Sequence, residues 1–392
     1  MMQPPWMRPV DFNEKPIFVC WETTKSCLLS CRHCRATAIR SGLPGELDHE
    51  QGIRLIDQIL EFGDPYPALL LTGGDPLMRP DVFDLIRHAG KQGIYTAVAA
   101  SVTPLLAKDR LEHMKELGVE IISVSLDGAT AAVHDRIREI SGTWQATLDA
   151  ISTASACGLR LQVNTTVMKS NLRQLADIFH LVRERGAVAW EVFFLIRTGR
   201  GSALENPDPW ECEEVASFLV DCTRYGIPVR TSEGPHFRRV FQERQKNREA
   251  PRGELYDQLA ARLRALGGEP RTPPSARMTG TGDGKGIIFI GHDGEVFPSG
   301  FLPLSLGNIK QETLKEIYRS HPLLVGLRNP ANLKGRCGAC EYASICGGSR
   351  SRAYAEYQDP YQEDPACPYV PHGWTGKAPV QDAALHGAQG PA

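Results

Sequence analysis

Apolar runs of strand length alternate with stretches of helical spacing through the first half of the chain. Residues 17–23 read as a first strand. Residues 48–62 place Ile53, Ile56 and Leu60 on one helical face, with Asp48 as N-cap. Residues 68–72 form a short apolar strand that ends in Gly73-Gly74-Asp75-Pro76. Residues 80–92 carry Val82, Phe83, Leu85, Ile86 and Ala89 along one side of a helix. The alternation continues with a strand at 94–100, a helix at 104–117 and a strand at 119–126 that ends at Asp127-Gly128. A helix at 143–157, a strand at 161–167, a helix at 172–185 and a strand at 188–196 complete six repeats. A further helix is expected at 210–225 and a short strand at 229–232.

Strands alternating with helices of this length predict βαβ units and a parallel sheet. Six repeats fit either a doubly wound sheet or a partial barrel. Polar and cysteine residues collect just after the strands: Gly73, Gly74 and Asp75, then Ser125 and Asp127, then Asn164, then Arg197. In parallel α/β folds that edge hosts the active site.

The second half has a different texture. Residues 242–285 are charged, then rich in Gly, Pro and Thr, and 236–285 reads as a linker or mobile insert, a candidate lid. Order is expected to resume at 286–290, and a tight turn at Asp293-Gly294 predicts a hairpin with 295–298. Residues 313–320 read as a short helix. Residues 1–15 read as an extended lead-in and 371–392 as a disordered tail.

Composition narrows the class. The chain has 392 residues, 42% of them hydrophobic, enough for a barrel and an appendage. A net charge of -2 leaves no basic field for nucleic acid. No run of 18 apolar residues suggests a membrane span, and the first residues lack a secretory pattern. The expectation is a cytoplasmic protein whose thiols stay reduced. Seven of the eleven cysteines fall in two clusters, which favours ligands over disulfides.

The first cluster is Cys27-Leu28-Leu29-Ser30-Cys31-Arg32-His33-Cys34, spaced C-x3-C-x2-C after a strand. Three soft thiolates on one loop suit iron–sulfur or zinc. Structural zinc wants a fourth protein ligand, and none is near in sequence. The spacing resembles the radical SAM superfamily. That resemblance implies a [4Fe–4S] cluster on Cys27, Cys31 and Cys34, with S-adenosylmethionine on the open iron. It also implies an open (β/α)6 barrel and reductive cleavage of the cofactor to a 5′-deoxyadenosyl radical. Thr72-Gly73-Gly74-Asp75-Pro76 resembles the family's GGE(P) motif, which implies contact with the cofactor's ammonium group. Ser125, Asp127, Asn164 and Arg197 are then implied contacts to its ribose, adenine and carboxylate.

The second cluster is Cys337, Cys340, Cys346 and Cys367. On spacing alone zinc competes. Joined to the first cluster it resembles the SPASM/twitch extension, which implies one auxiliary [4Fe–4S] cluster. Ser299 and Ser349 stand where the fuller pattern has cysteines, so one auxiliary cluster is expected rather than two. The strings Cys31-Arg32-His33-Cys34-Arg35-Ala36 and Cys346-Gly347-Gly348-Ser349-Arg350-Ser351-Arg352 resemble the subgroup of alternative haem and haem-d1 synthesis. Arg350 and Arg352 read either as binders of tetrapyrrole propionates or as charges that balance the cluster. His33 stands where the family usually has an aromatic residue.

The resemblance thus implies an enzyme that abstracts hydrogen from a tetrapyrrole side chain, fed by a flavodoxin- or ferredoxin-type electron donor. A SPASM maturase acting on a ribosomal peptide is the alternative, and a non-enzymatic metal-binding scaffold is a third reading. Residues 1–15 are too few for a winged-helix peptide-recognition domain. No Ser-His-Asp arrangement or nucleotide-binding P-loop presents itself.

Overall fold

The computed structural model describes residues 8–246 and 253–379 of the protein. The expected lead-in lies partly, and the expected disordered tail largely, outside the described residues.

The chain builds β1 (Phe18–Glu22), α1 (His49–Leu60), β2 (Ala68–Thr72), α2 (Val82–Lys91), β3 (Thr96–Ala99), α3 (Lys108–Glu116) and β4 (Ile121–Ser125). There follow α4 (Ala131–Arg138), α5 (Thr143–Ala156), β5 (Leu161–Val167), α6 (Leu175–Glu184), β6 (Ala189–Phe194), α7 (Pro209–Cys222) and β7 (Val229–Ser232). All seven strands pair in parallel and in chain order, forming a curled half-barrel. The α/β partial-barrel class is as expected, with the short strand at Val229–Ser232 as its seventh member.

Each strand divides its side chains between two environments. In β5, Leu161, Val163, Thr165 and Val167 are buried toward the helices. Gln162, Asn164 and Thr166 keep some exposure on the inner face of the sheet. Outside, Phe179 of α6 stacks on Trp190 at 5.3 Å and meets Tyr225 edge-on at 6.3 Å. Aromatic burial of this kind anchors the helices to the sheet. The helix starts follow their caps: Asp48 accepts from the Gln51 N–H at 2.8 Å and Gln51 reciprocates at 2.9 Å. The helix expected at 104–117 starts late, at Lys108, after a separate turn in which Leu106 N–H donates to Thr103 O at 2.9 Å.

The stretch 236–285 carries more structure than a linker. It folds as α8 (His236–Gln245) and α9 (Glu254–Gly267). The helix α9 lays Leu255, Leu259 and Leu263 against α6 and α7, and α8 packs along α7. These helices extend the outer layer of the barrel.

The expected hairpin forms as β8 (Ile287–Ile290) and β9 (Val296–Phe297). It is not a separate sheet. The strand β8 pairs in parallel with β1, so the order becomes β7-β6-β5-β4-β3-β2-β1-β8-β9. Then come α10 (Leu314–Ser320), α11 (Pro322–Arg328), α12 (Gly335–Ala339) and α13 (Arg350–Tyr357). Among the described residues no helix is long and apolar enough to cross a membrane.

Candidate functional site

The cysteine loop leaves β1 at the strand-end edge. Its base is closed by Cys27 N–H to Ile39 O at 2.7 Å and Ile39 N–H to Lys25 O at 3.0 Å. Cys27 and Cys31 are buried and Cys34 is half-buried. The Leu29 N–H and the Ser101 hydroxyl each stand 3.4 Å from Cys27 Sγ. Burial pushes the Cys27 thiol up, against these two hydrogen bonds.

The loop after β2 leans directly on this base. Gly74 N–H donates to Thr24 O at 2.8 Å and Asp75 N–H to Ser26 O at 2.7 Å. A Cβ on Gly74 would lie 2.2 Å from Ser26 O. Glycine is needed here for backbone to approach backbone, and the Gly74 carbonyl accepts from Ser101 at 3.2 Å. Asp75 is fully buried. Its carboxylate accepts from Leu77 N–H at 3.2 Å, Ser101 N–H at 3.4 Å and the Thr103 hydroxyl at 3.2 Å. It ties three loops together and does not face open space.

The other strand-end residues part company. Ser125 and Asn164 lie side by side in the β4–β5 register on the inner face, with Asn164 Oδ1 accepting from Gln162 at 2.9 Å. Asp127 is completely buried and ion-paired to Arg138. Burial alone would raise its carboxyl, but Arg138 and then His33 hold it below the ordinary value. Arg197 is not brought to the site: it is exposed and turns to Ser202 O in its own loop at 3.3–3.4 Å.

Two arginines that the sequence reading passed over arrive instead. Arg200 donates to Cys31 O at 3.0 Å and Ala38 O at 3.3 Å. Arg138 donates to Cys31 Sγ at 3.4 Å. It comes from α4, a helix not foreseen, which starts just after Asp127-Gly128. The available signal was the spacing of His134 and Arg138, one helical turn apart on one face. His33 is half-buried with Nε2 3.7 Å from Asp127, so it sits beside the Asp127–Arg138 ion pair.

At the other site, one cavity is lined by Cys337, Cys340, Cys346 and Cys367. Burial pushes the Cys346 thiol up to about 12 and Cys340 to about 11. Cationic groups ring the thiols. Arg350 lies 3.7 Å from Cys337 Sγ, and Arg336 donates to Cys367 O at 2.5 Å. Arg239 is buried between Glu213 at 2.5 Å and Glu243 at 2.7 Å. The two arginines read as possible propionate binders are committed here. Arg350 also donates to Pro360 O and Gln362 O at 2.8 and 2.6 Å. Arg352 grips Asp364 at 2.9–3.0 Å and donates to Glu233 O at 2.6 Å. Ser349 and Ser299 join a buried polar network, Ser349 bonding Glu233 and Ser299 facing Ser351 at 3.3 Å.

Among the described residues no three His, Cys, Asp or Glu side chains close on a single ion-sized centre. A mononuclear zinc site holds each ligand about 2.0–2.3 Å from one ion. A cluster spreads its thiolates around several irons. Two all-sulfur donor sets, each at least half-buried and flanked by guanidinium groups, fit the second kind of group.

A half-barrel with three thiols at its strand-end edge and four more in an appended lobe defines an iron–sulfur enzyme. The chain belongs to the radical SAM superfamily: residues 21–182 match that family's model, and residues 283–341 match the SPASM iron–sulfur cluster-binding domain. S-adenosylmethionine and [4Fe–4S] clusters are its cofactors. The AdoMet-dependent heme synthase of Methanosarcina barkeri is 35% identical, over 92% of this chain and 99% of that protein. The Fe-coproporphyrin III synthase of the same organism is 28% identical, over 91% and 88%. In fold, the chain resembles Streptococcus suis SuiB bound to S-adenosylmethionine, with a TM-score of 0.68 at 15% identity over 91% and 78%.

Proposed function

We propose that this enzyme acts on the propionate side chains of an iron tetrapyrrole in haem-type cofactor synthesis. The observation that carries the reading is the relationship to a heme synthase along nearly the whole of both chains. The higher identity to heme synthases than to peptide cyclases, 35% against 28%, favours this reading over the peptide-maturase alternative.

When bound, the cluster and S-adenosylmethionine supply a carbon-centred radical that removes hydrogen from an unreactive C–H bond. The chain's own residues hold and orient. Cys27, Cys31 and Cys34 would carry the first cluster, and Cys337, Cys340, Cys346 and Cys367 the auxiliary one. Arg138 offsets negative charge at Cys31, and Asp127 fixes Arg138. The backbone at Gly73 and Gly74 after β2, with Ser125 and Asn164 on β4 and β5 of the same sheet, would line the space for the cofactor. Asp75 keeps that backbone in place rather than reaching the ligand. A one-electron donor of flavodoxin or ferredoxin type in a reducing, cytoplasmic setting suits this chemistry.

The test is anaerobic. Iron and sulfide counting with electron paramagnetic resonance should show two cubanes, falling to one in a Cys27/Cys31/Cys34→Ala variant. Wild-type enzyme given iron-coproporphyrin III, S-adenosylmethionine and dithionite should form 5′-deoxyadenosine while the macrocycle loses carboxyl groups by mass spectrometry. An unchanged macrocycle would count against the reading.

A further inference from the structure

Arg35 directly follows the last thiol of the first cluster, yet its guanidinium has no part in the site described above. In β1, Val19 and Trp21 enter the core beneath the helices, so Cys20 and Glu22 face the inside of the half-barrel. Phe289 of β8 is the register partner of Cys20 and shares that face. Arg35 turns into this corner. Its guanidinium carbon stands 4.3 Å over the centre of the Phe289 ring, and Nη1 lies 3.5 Å from Glu22 Oε1. His292 approaches the other Glu22 oxygen at 3.4 Å. The dipeptide Gly300-Phe301 joins this corner to the opposite flank of the barrel. A Cβ on Gly300 would lie 3.0 Å from Arg35 Nε, and the Phe301 ring packs 6.2 Å from Phe193 on β6. Phe193 also faces inward, because Val192 and Phe194 on either side enter the core.

The donors of Arg35 are unspent. Among the described residues its side chain makes one ion pair and one ring contact and donates no hydrogen bond. The ion pair is open: charge-assisted bonds ordinarily close to about 2.7–2.9 Å, as Arg352 does on Asp364 at 2.9 Å. Glu22 Oε1 is itself buried and accepts no hydrogen bond among the described residues. A guanidinium that braced the cysteine loop would donate to it, as Arg200 does to Cys31 O at 3.0 Å. One that balanced thiolate charge would approach sulfur, as Arg138 does at 3.4 Å. Arg35 does neither, and 19% of its side chain stays accessible. Stacking on Phe289 fixes the plane of the fork and leaves its edge free for a ligand.

We propose that Arg35 anchors one carboxylate arm of the substrate, with Phe193 and Phe301 against the apolar part of the macrocycle. This rests on the tetrapyrrole reading, since a flat aromatic ring with acidic arms uses both kinds of contact. The planar guanidinium suits a carboxylate because it donates two parallel hydrogen bonds, and aromatic rings suit the macrocycle face. An anchor one residue from a cluster ligand sets the held arm at the strand-end edge, on the cofactor's side of the barrel.

The experiment titrates iron-coproporphyrin III into cluster-loaded enzyme and follows the macrocycle's absorbance, with iron content showing that each variant is loaded. Arg35→Gln should weaken binding about 10- to 100-fold, the range of a charged hydrogen bond, and flatten its salt dependence. Arg35→Lys, which keeps the charge and loses the fork, should fall between the two. The methyl ester of the same macrocycle should not distinguish Arg35→Gln from wild type. S-adenosylmethionine, read separately by equilibrium dialysis, should bind Arg35→Gln as it binds wild type; a loss confined to that ligand would give Arg35 to the cofactor's carboxylate and overturn the anchor. If Arg35→Gln fails to hold its first cluster, Phe289→Leu decides, because it leaves the cysteine loop unaltered. It should weaken macrocycle binding about 3- to 10-fold, the range of a cation–π contact, and unchanged affinity there would overturn the anchor. Wild-type affinity for iron-coproporphyrin III in loaded Arg35→Gln would do the same while the tetrapyrrole reading stands. Wild-type enzyme that binds no macrocycle would remove both.

Discussion

At Cys31 the sulfur receives a guanidinium N–H from Arg138, and the same guanidinium is held by Asp127 in a setting closed to water. Breaking a buried pair from one side leaves an uncompensated charge, which typically costs about 3–5 kcal/mol. Arg138→Met should therefore destabilise the protein by about that amount in anaerobic chemical unfolding. Adding Asp127→Asn should restore part of it; strictly additive losses would show the two to be uncoupled. His134 offers a pH test. Its Nδ1 accepts from the Asp127 N–H at 3.1 Å, so the ring is held neutral, and burial draws its pKa down to about 4. Between pH 6.5 and about 4 the unfolded chain takes up a proton at this ring and the native chain does not. Stability should fall with acidification through that window, by at most about 1.4 kcal/mol per pH unit for one proton. His134→Asn should flatten that dependence in denaturation midpoints measured at pH 7.5 and 5.5. Single residues were legible in proportion to how local their signal is. The cysteines declare themselves by spacing, whereas Arg197 was chosen over Arg200 because strand-end position alone does not say which way a loop turns.

At the scale of elements, the loops at the strand-end edge fit by backbone contact. Gly74 meets Ser26 O, and Gly199, at φ +53°, meets Cys34 O and Arg35 O, where a Cβ would lie 2.4–2.6 Å away. Gly74→Ala must separate the β2 loop from the cysteine loop. The expected outcome is loss of the first cluster alone, with iron per chain falling by about half while the auxiliary site stays loaded. Full iron content in that variant would show that the loops can move apart without harm. Helix α4 escaped the pattern reading because Ala131–Arg138 is short, with only Val133 and Ile137 as large apolar residues to mark a face. Helix α8 escaped for a related reason. It buries Arg238, Arg239 and Glu243 beside the auxiliary site, so its charged sequence looks like a solvated linker.

Across the whole molecule, the appended lobe and the barrel share one sheet. The β8 edge hydrogen-bonds β1 over Phe18–Trp21, and Arg238 reaches from α8 to Ile345 O at 2.6 Å and Thr281 O at 3.0 Å. Glu233, just past β7, closes on Ser349 and Arg352. With so many buried bonds crossing between them, barrel and lobe should unfold together. Anaerobic calorimetry of the loaded enzyme should show a single main transition; two well-separated ones would contradict a shared core. Arg350 and Arg352 belong to this scale too. Their positions in a Cys-rich string left two roles open, and the choice was made by Asp364, Pro360 and Gln362, which the chain brings from further along.

The amino-acid sequence by itself determined the parallel strand-and-helix order, both sets of thiols and the class of chemistry. Those properties rest on periodicity and ligand spacing, which are local and survive without knowledge of the fold. Tertiary structure alone decided that β8 would extend the barrel sheet, that Asp75 and Asp127 would brace the site from beneath, and that Arg138 and Arg200 would meet the cysteine loop. Those outcomes depend on which buried charge finds which partner across long stretches of chain, and desolvation makes that choice only once the surrounding core has closed.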